Sequence, residues 1–177
     1  LVIGGGSKQA GNISSSLEIL QSNLLSKFNF EQVGIAGHPE GHPNISKNDL
    51  DKAIIEKNEF AKNADFKLYI ATQFFFEAKF FELWERHIIS LGNKLEIHAG
   101  IPGPATLKTL ISYAKSCGIG NSLRFLSKQA MNITKIASNK TPDKLIADLA
   151  EYKFNNPSSR LVKLHIFPFG GMKKTSQ

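Results

Sequence analysis

The sequence contains one cysteine, Cys117, and no apolar run long enough to cross a membrane. A single cysteine cannot form a disulfide within the chain, so the sequence favours a reducing compartment. A membrane-spanning helix needs about 20 mostly apolar residues, and no signal-peptide pattern is visible. We therefore expect a cytoplasmic protein with no membrane partner. The sequence also has no low-complexity linker, which predicts one domain over residues 1–177.

Arginine is scarce, although the chain carries a net charge of +7. Only Arg86, Arg124 and Arg160 are arginines, and acidic residues are interspersed among the lysines. Nucleic-acid binding sites usually combine clustered basic residues with interleaved aromatic side chains. The aromatic residues here fall in apolar runs instead. We expect no nucleic-acid partner.

The sequence does contain short apolar runs that alternate with segments of helical periodicity. Runs typical of strands begin near Leu1, Gln32, Phe66, Leu95 and Leu161. Helices are predicted between them, over residues 13–27, 46–63, 77–91, 105–117, 123–137 and 141–152. Strands and helices in alternation indicate parallel βαβ units. The predicted class is α/β, with two helices instead of one in the last connection.

Unusual residues are concentrated where the predicted strands end. These strand-end motifs are GGG, GHPEGHP, TQFFFE, GIPGP and FPFGG. In parallel (β/α)8 barrels the active site is built at the carboxyl ends of the strands, so the motifs point to one shared site. Such a barrel has eight units in about 250 residues. Five units in 177 residues, with a strand at the first residue, predict the last five strands and their helices, with the preceding units missing.

The stretch AGHPEGHPN places His38 and His42 on either side of Glu40. Two histidines four residues apart resemble a helical metal motif, but Pro39 and Pro43 disfavour a helix. The segment is therefore predicted to be a stiff loop at the strand end. Its histidines either contact a ligand, or bind a metal together with Glu40, or belong to a structural turn.

Gln73 stands at the end of an apolar strand and is followed by three phenylalanines. A buried amide is costly unless it is hydrogen-bonded. Gln73 is therefore either a satisfied core residue or a group that binds a ligand able to donate and accept hydrogen bonds. The three glycines Gly4, Gly5 and Gly6 are only a weak phosphate-binding signal, because the other residues of a phosphate loop are absent.

Taken together, AGHPEGHPN, IATQFFFE, IHAGIPGPATLK and LHIFPFGGMK resemble the successive strand-end motifs of the 5,10-methylenetetrahydrofolate reductase family. The resemblance implies a (β/α)8 TIM barrel with bound FAD and NAD(P)H as cosubstrate. It implies reduction of 5,10-methylenetetrahydrofolate to 5-methyltetrahydrofolate, with a homo-oligomer when the protein is full length. The general acid of the family would lie on a strand before Leu1, so no catalytic residue is assigned.

The resemblance also implies a role for individual residues. The implied flavin-binding residues are Ala36, His38, Glu40, His42, Asp51 and Lys57, and the implied substrate-binding residues are Gln73, Tyr113 and Phe167. Gly6 and Gly171 stand where the family has an aspartate and an arginine, which indicates a divergent subgroup. Two alternatives stay open: a non-catalytic folate- or flavin-binding barrel, and a metal-using barrel enzyme with His38, Glu40 and His42 as ligands.

Overall fold

The computed structural model describes residues 1–3, 11–130 and 139–176. Its strands are β1 (Gln32–Gly37), β2 (Lys67–Thr72), β3 (Glu96–Pro102), β4 (Ala105–Thr106), β5 (Asn139–Lys140) and β6 (Leu161–Phe167). Its α-helices are α1 (Ser16–Gln21), α2 (Lys47–Ala61), α3 (Ala78–Ser90), α4 (Leu107–Ser116), α5 (Gly120–Ala130), α6 (Asp143–Asn155) and α7 (Met172–Thr175). No helix within the described ranges is long and apolar enough to span a membrane.

Four strands form one parallel sheet in the order β1, β2, β3, β6. This arrangement of parallel strands and connecting helices confirms the α/β class and is consistent with part of a barrel. Of the first predicted strand, the described residues show an isolated parallel bridge from Val2 to Ile35, with the Val2 N–H 2.8 Å from the Gly34 oxygen. Gly4 to Gly6 lie outside the described residues.

Local signals explain most helix boundaries. Ser46 caps α2 by accepting a hydrogen bond from the Asp49 N–H. The predicted helix over residues 13–27 is instead α1 followed by a 3-10 turn, Leu25–Phe28. Asn23, with φ of 57°, interrupts it because a left-handed residue cannot continue an α-helix. Helix α5 begins three residues before its predicted start, and part of that prediction lies outside the described residues.

One face of the sheet packs against the helices. Alternate residues of β1, β2 and β3 form this core, including Ile35, Ile70 and Ile97, which are completely buried. On the opposite face Tyr69 stacks on His98, with ring centroids 4.0 Å apart. The space above Gly34 is taken by the Tyr69 ring, since a Cβ there would lie 2.6 Å from it. Helices therefore cover one face of the sheet, and the opposite face holds the stacked rings of Tyr69 and His98.

A second core lies at the carboxyl ends of the strands. It joins the end of β2 to the turn between α4 and α5, and its buried members are Phe74, Ala105, Leu107, Leu110, Ala114, Ile119 and Leu126. Phe75 points the other way, into the first core, where it stacks on Phe81. This alternation along TQFFF leaves Gln73 at the junction between the strand end and the second core.

Candidate functional site

The strand-end motifs meet at one edge of the sheet because all four strands are parallel. The loop after β1 contains the two histidines, and the loop after β2 begins with Gln73. The Gln73 N–H donates to the Gly37 oxygen at 2.7 Å, which joins the two loops at their bases. Ala36 pairs with Ala71 just below this junction. The predicted convergence is therefore present for these two loops.

Residues 38–43, which we name the histidine loop, form a tight turn and not a helix. The Gly41 N–H donates to the His38 oxygen at 3.0 Å, and Gly41 has φ of +83°, a conformation that favours glycine. The two imidazole rings meet edge to face, with centroids 5.3 Å apart. The His42 Nδ1 accepts a hydrogen bond from the Asn44 N–H at 3.2 Å. The loop holds both histidines at the carboxyl end of β1.

His38 is uncharged at neutral pH. Burial lowers its pKa to about 4, with smaller contributions in the same direction from the nearby His42 and Lys57. Burial also lowers the pKa of Lys57, whose side chain is 8% exposed. No hydrogen bond or ion pair reaches the Lys57 Nζ from the residues that the structure describes. His38 and Lys57 thus place a neutral aromatic ring beside a poorly solvated amine.

Lys57 and its neighbour Asn58 have different surroundings. The Asn58 amide donates to the Ile54 oxygen and to Asn93, and its oxygen accepts from the Lys94 N–H. These hydrogen bonds hold Asn58 against the connection between α3 and β3. Of these two adjacent positions, only Lys57 has an electrostatic interaction with the histidine loop.

Glu40 points away from the histidines. Its carboxylate accepts hydrogen bonds from the Ser122 N–H at 2.9 Å and from the Ser122 hydroxyl, at the start of α5. Ser122 is completely buried. Within the described ranges no three His, Cys, Asp or Glu side chains converge as a metal site. The geometry therefore gives no support to a metal held by His38, Glu40 and His42.

Asp51 is engaged with α3. Its Oδ1 lies 2.8 Å from the His87 Nε2, and both side chains are partly buried. This pair ties α2 to α3 next to the loop. The sequence alone does not reveal His87 as a partner, because 36 residues separate the two positions.

Gln73 is held at one end of its amide only. Its Nε2 donates to the Cys117 oxygen at 3.2 Å. Its Oε1 is buried and has no hydrogen-bond partner in the described structure. Buried acceptors without a partner are rare because they lose solvation and gain nothing in return. The side chain thus has one buried acceptor at the strand ends that no described group satisfies.

Aromatic rings cluster at the same strand ends. Tyr113, on α4, is 43% exposed and stacks on Phe169, with centroids 4.2 Å apart. Phe169 also contacts Phe167 and Phe74, at 5.6 and 4.6 Å. Phe169 was not predicted as a site residue, although the FPFGG motif contains it. Gly171, with φ of +95°, directly precedes α7.

The predicted site residues fall into two groups. His38, His42, Lys57, Gln73, Tyr113 and Phe167 lie in or against the strand-end loops, whereas Glu40 and Asp51 are bonded to α5 and α3. A cavity of about 670 Å³ lies between α3, α5 and α6, and Phe76, Glu77 and Pro102 of the strand-end motifs line part of it. None of the predicted site residues lines this cavity.

Comparison with known families gives a match for this part of the chain. A family model described as methylenetetrahydrofolate reductase matches residues 8–121. The match covers more than half of the chain and includes the histidine loop, Gln73 and Tyr113. Phe167 and Phe169 lie beyond it.

Proposed function

Because this chain belongs to the methylenetetrahydrofolate reductase family, we propose that it serves in the FAD-dependent reduction of 5,10-methylenetetrahydrofolate to 5-methyltetrahydrofolate by NAD(P)H. Family membership indicates a folate-related oxidoreductase. The identity of the cofactor, the use of NAD(P)H and the exact reaction are parts of the proposal. So does the site, which we place at the mouth of a (β/α)8 barrel, above the carboxyl ends of the strands.

Lys57 and the histidine loop fit a flavin nucleotide. A buried amine with no hydrogen bond or ion pair in the described structure is costly, and a phosphate group would add negative charge to that of the nearby Glu56. Beside it, the neutral His38 ring can lie against an aromatic or sugar surface without introducing a charge. When bound, FAD supplies hydride transfer between the nicotinamide and the folate. The protein contributes the position of the ligand and the exclusion of water.

The unused acceptor of Gln73 is the observation that carries the proposal. A pterin ring has N–H groups and ring nitrogens along one edge, and its N–H groups can donate to the Gln73 Oε1. The Cys117 oxygen fixes the other end of the amide, so the acceptor is already oriented. Gln73 would bind and orient the folate ring, while Tyr113 and Phe167 supply aromatic surface at the same strand ends.

The test measures flavin binding and turnover separately in the full-length protein. We expect visible absorbance near about 450 nm, typical of bound flavin, with bleaching by NADH or NADPH and recovery on addition of methylenetetrahydrofolate. Lys57→Met should weaken FAD binding by about tenfold, which corresponds to ~1.4 kcal/mol. Lys52→Met is the matched control because Lys52 is an exposed lysine of the same helix.

A non-catalytic folate- or flavin-binding protein is the second candidate. It is favoured by Gly171, which stands where the family has a substrate-binding arginine. A bound flavin that NADH and NADPH do not reduce, or that methylenetetrahydrofolate does not reoxidise, would support this candidate and contradict the reductase.

A further inference from the structure

The turn between α4 and α5 contacts both strand-end loops. This turn, residues 117–119, is fixed to the end of α4 by three backbone hydrogen bonds. The N–H groups of Cys117, Gly118 and Ile119 donate to the oxygens of Tyr113, Lys115 and Ala114, at 2.9, 3.2 and 3.1 Å. Ile119 is buried in the second core. We name these residues the coupling turn.

The histidine loop contacts the coupling turn through Pro43 and the first turn of α5 through Glu40. Pro43 lies over Gly118, where a Cβ would be 2.5 Å from the proline Cγ. Three residues beyond the turn, Ser122 donates both its N–H and its hydroxyl to Glu40. A carboxylate near the start of a helix also interacts favourably with the helix dipole. The loop is thereby fastened to the first turn of α5.

Gln73 reaches the same turn from the neighbouring strand. Its Nε2 bonds to the Cys117 oxygen, which lies within one residue of the contact between Gly118 and Pro43. Movement of the coupling turn would therefore change the orientation of the Gln73 amide and the position of the histidine loop together.

We propose that the coupling turn holds the histidine loop and Gln73 in a fixed relation, and that Glu40 and Ser122 are positioning residues for both. This inference rests on the proposed function, because it assigns the two loops to flavin and folate. Both carboxylate oxygens of Glu40 already accept hydrogen bonds, whereas the Gln73 Oε1 accepts none. Glu40 thus acts through Ser122, and Gln73 contacts the ligand.

Glu40→Gln in the full-length protein tests the inference. An amide presents one acceptor and one donor, so it cannot accept from both groups of Ser122 through two oxygens. We expect the dissociation constant of FAD and the KM of methylenetetrahydrofolate to rise together, each by about tenfold. Ser122→Ala removes one of the two donors and should change both quantities in the same direction. The double variant Glu40→Gln, Ser122→Ala should raise both constants little more than Glu40→Gln does, because the two residues share one interaction.

Matched controls are Glu59→Gln and Ser116→Ala, which alter a helix-surface ion pair and a helix-surface hydroxyl. A wild-type protein that binds neither FAD nor folate would overturn the proposed function itself. If the wild type binds both, unchanged constants in Glu40→Gln and Ser122→Ala would overturn the inference, and so would a change in FAD affinity alone. If Glu40→Gln does not fold, the FAD dissociation constant and the KM of methylenetetrahydrofolate are measured for Ser122→Ala, and the same criteria apply.

Discussion

At the scale of single residues, Gln73 combines one satisfied and one unsatisfied end. The unsatisfied Oε1 lowers the stability of the ligand-free protein, and it becomes useful only when a donor binds. Gln73→Met removes both ends at similar volume. We expect the free energy of unfolding to change by less than about 1 kcal/mol, because a lost hydrogen bond is offset by the removal of a buried orphan acceptor. We expect the KM of methylenetetrahydrofolate to rise at least about tenfold.

Urea unfolding and steady-state kinetics measure the two effects. Gln21→Met is the control, since Gln21 is exposed on α1. If Gln73 were only a core residue, Gln73→Met would lower the free energy of unfolding by well over about 1 kcal/mol and would leave the KM unchanged. That result would remove the main support for a folate site.

His38 predicts a pH dependence of stability. Its pKa falls from the ordinary value of 6.5 to about 4 in the folded protein, mainly through burial. The unfolded state therefore binds more protons between these two pH values, so stability decreases as pH falls through this window and is fully present above pH 6.5. The loss should reach roughly 2 to 3 kcal/mol near pH 4, since one pKa unit corresponds to ~1.4 kcal/mol.

The measurement compares ligand-free wild type with His38→Phe by urea unfolding at several pH values between 7 and 4. The other titratable groups are the same in both proteins, so the difference between the two curves isolates His38. The variant should lose less stability than the wild type on acidification. Parallel curves would show that His38 is not held neutral by its surroundings.

At the scale of elements, the sequence predicts strand ends better than the contacts of their loops. Pro39 and Pro43 exclude a helix, and the alternation along TQFFF assigns its rings to opposite sides, so both features follow from local chemistry. The bond between Glu40 and Ser122 spans 82 positions, and no local pattern announces it. Glu40 was accordingly predicted as a flavin-binding residue. The structure shows its carboxylate bonded to α5, and the flavin-binding role stays a prediction.

The same limit applies to Asp51 and Phe169. Asp51 has the acidic side chain and spacing that the family resemblance needs, but its partner His87 becomes visible only when α2 and α3 pack together. Phe169 looks like an ordinary apolar residue in the sequence. Its stacking on Tyr113 depends on how the chain leaves β6. Side-chain partners across elements are set by packing, which composition and periodicity do not encode locally.

The coupling turn gives an element-scale prediction. Gly118 has φ of +66°, and a Cβ there would also collide with Pro43. Gly92 has φ of +95° but open space around it. Gly118→Ala should therefore lower the free energy of unfolding by about 2 kcal/mol or more, whereas Gly92→Ala should cost about 1 kcal/mol. Chemical denaturation measures both.

Pro43→Ala provides the internal check on this prediction. It removes the ring carbon nearest to the added methyl group, so it should recover part of the loss caused by Gly118→Ala. A double variant whose losses are strictly additive would mean that Pro43 does not press on the turn, and the packing of the histidine loop would need revision.

At the scale of the whole molecule, the sheet has an uncovered apolar region at β6. Within the described residues β6 pairs with β3 and with no other strand of the main sheet. Val162, Leu164 and Ile166 alternate along one face of this strand and are 46%, 39% and 46% exposed. An edge strand with an apolar face is prone to association. In a closed barrel this edge would pair with a further strand.

A polypeptide of these 177 residues on its own should therefore associate in a concentration-dependent way, at concentrations on the order of 10 µM. Ile166→Lys and Leu164→Lys should each reduce association, because a charge on an exposed edge strand opposes pairing. Leu83→Lys is the control, since Leu83 is 64% exposed on α3, away from the sheet edge. Sedimentation velocity over a concentration series gives the result. Monomers at every concentration, or equal effects of the three variants, would show that β6 does not drive association.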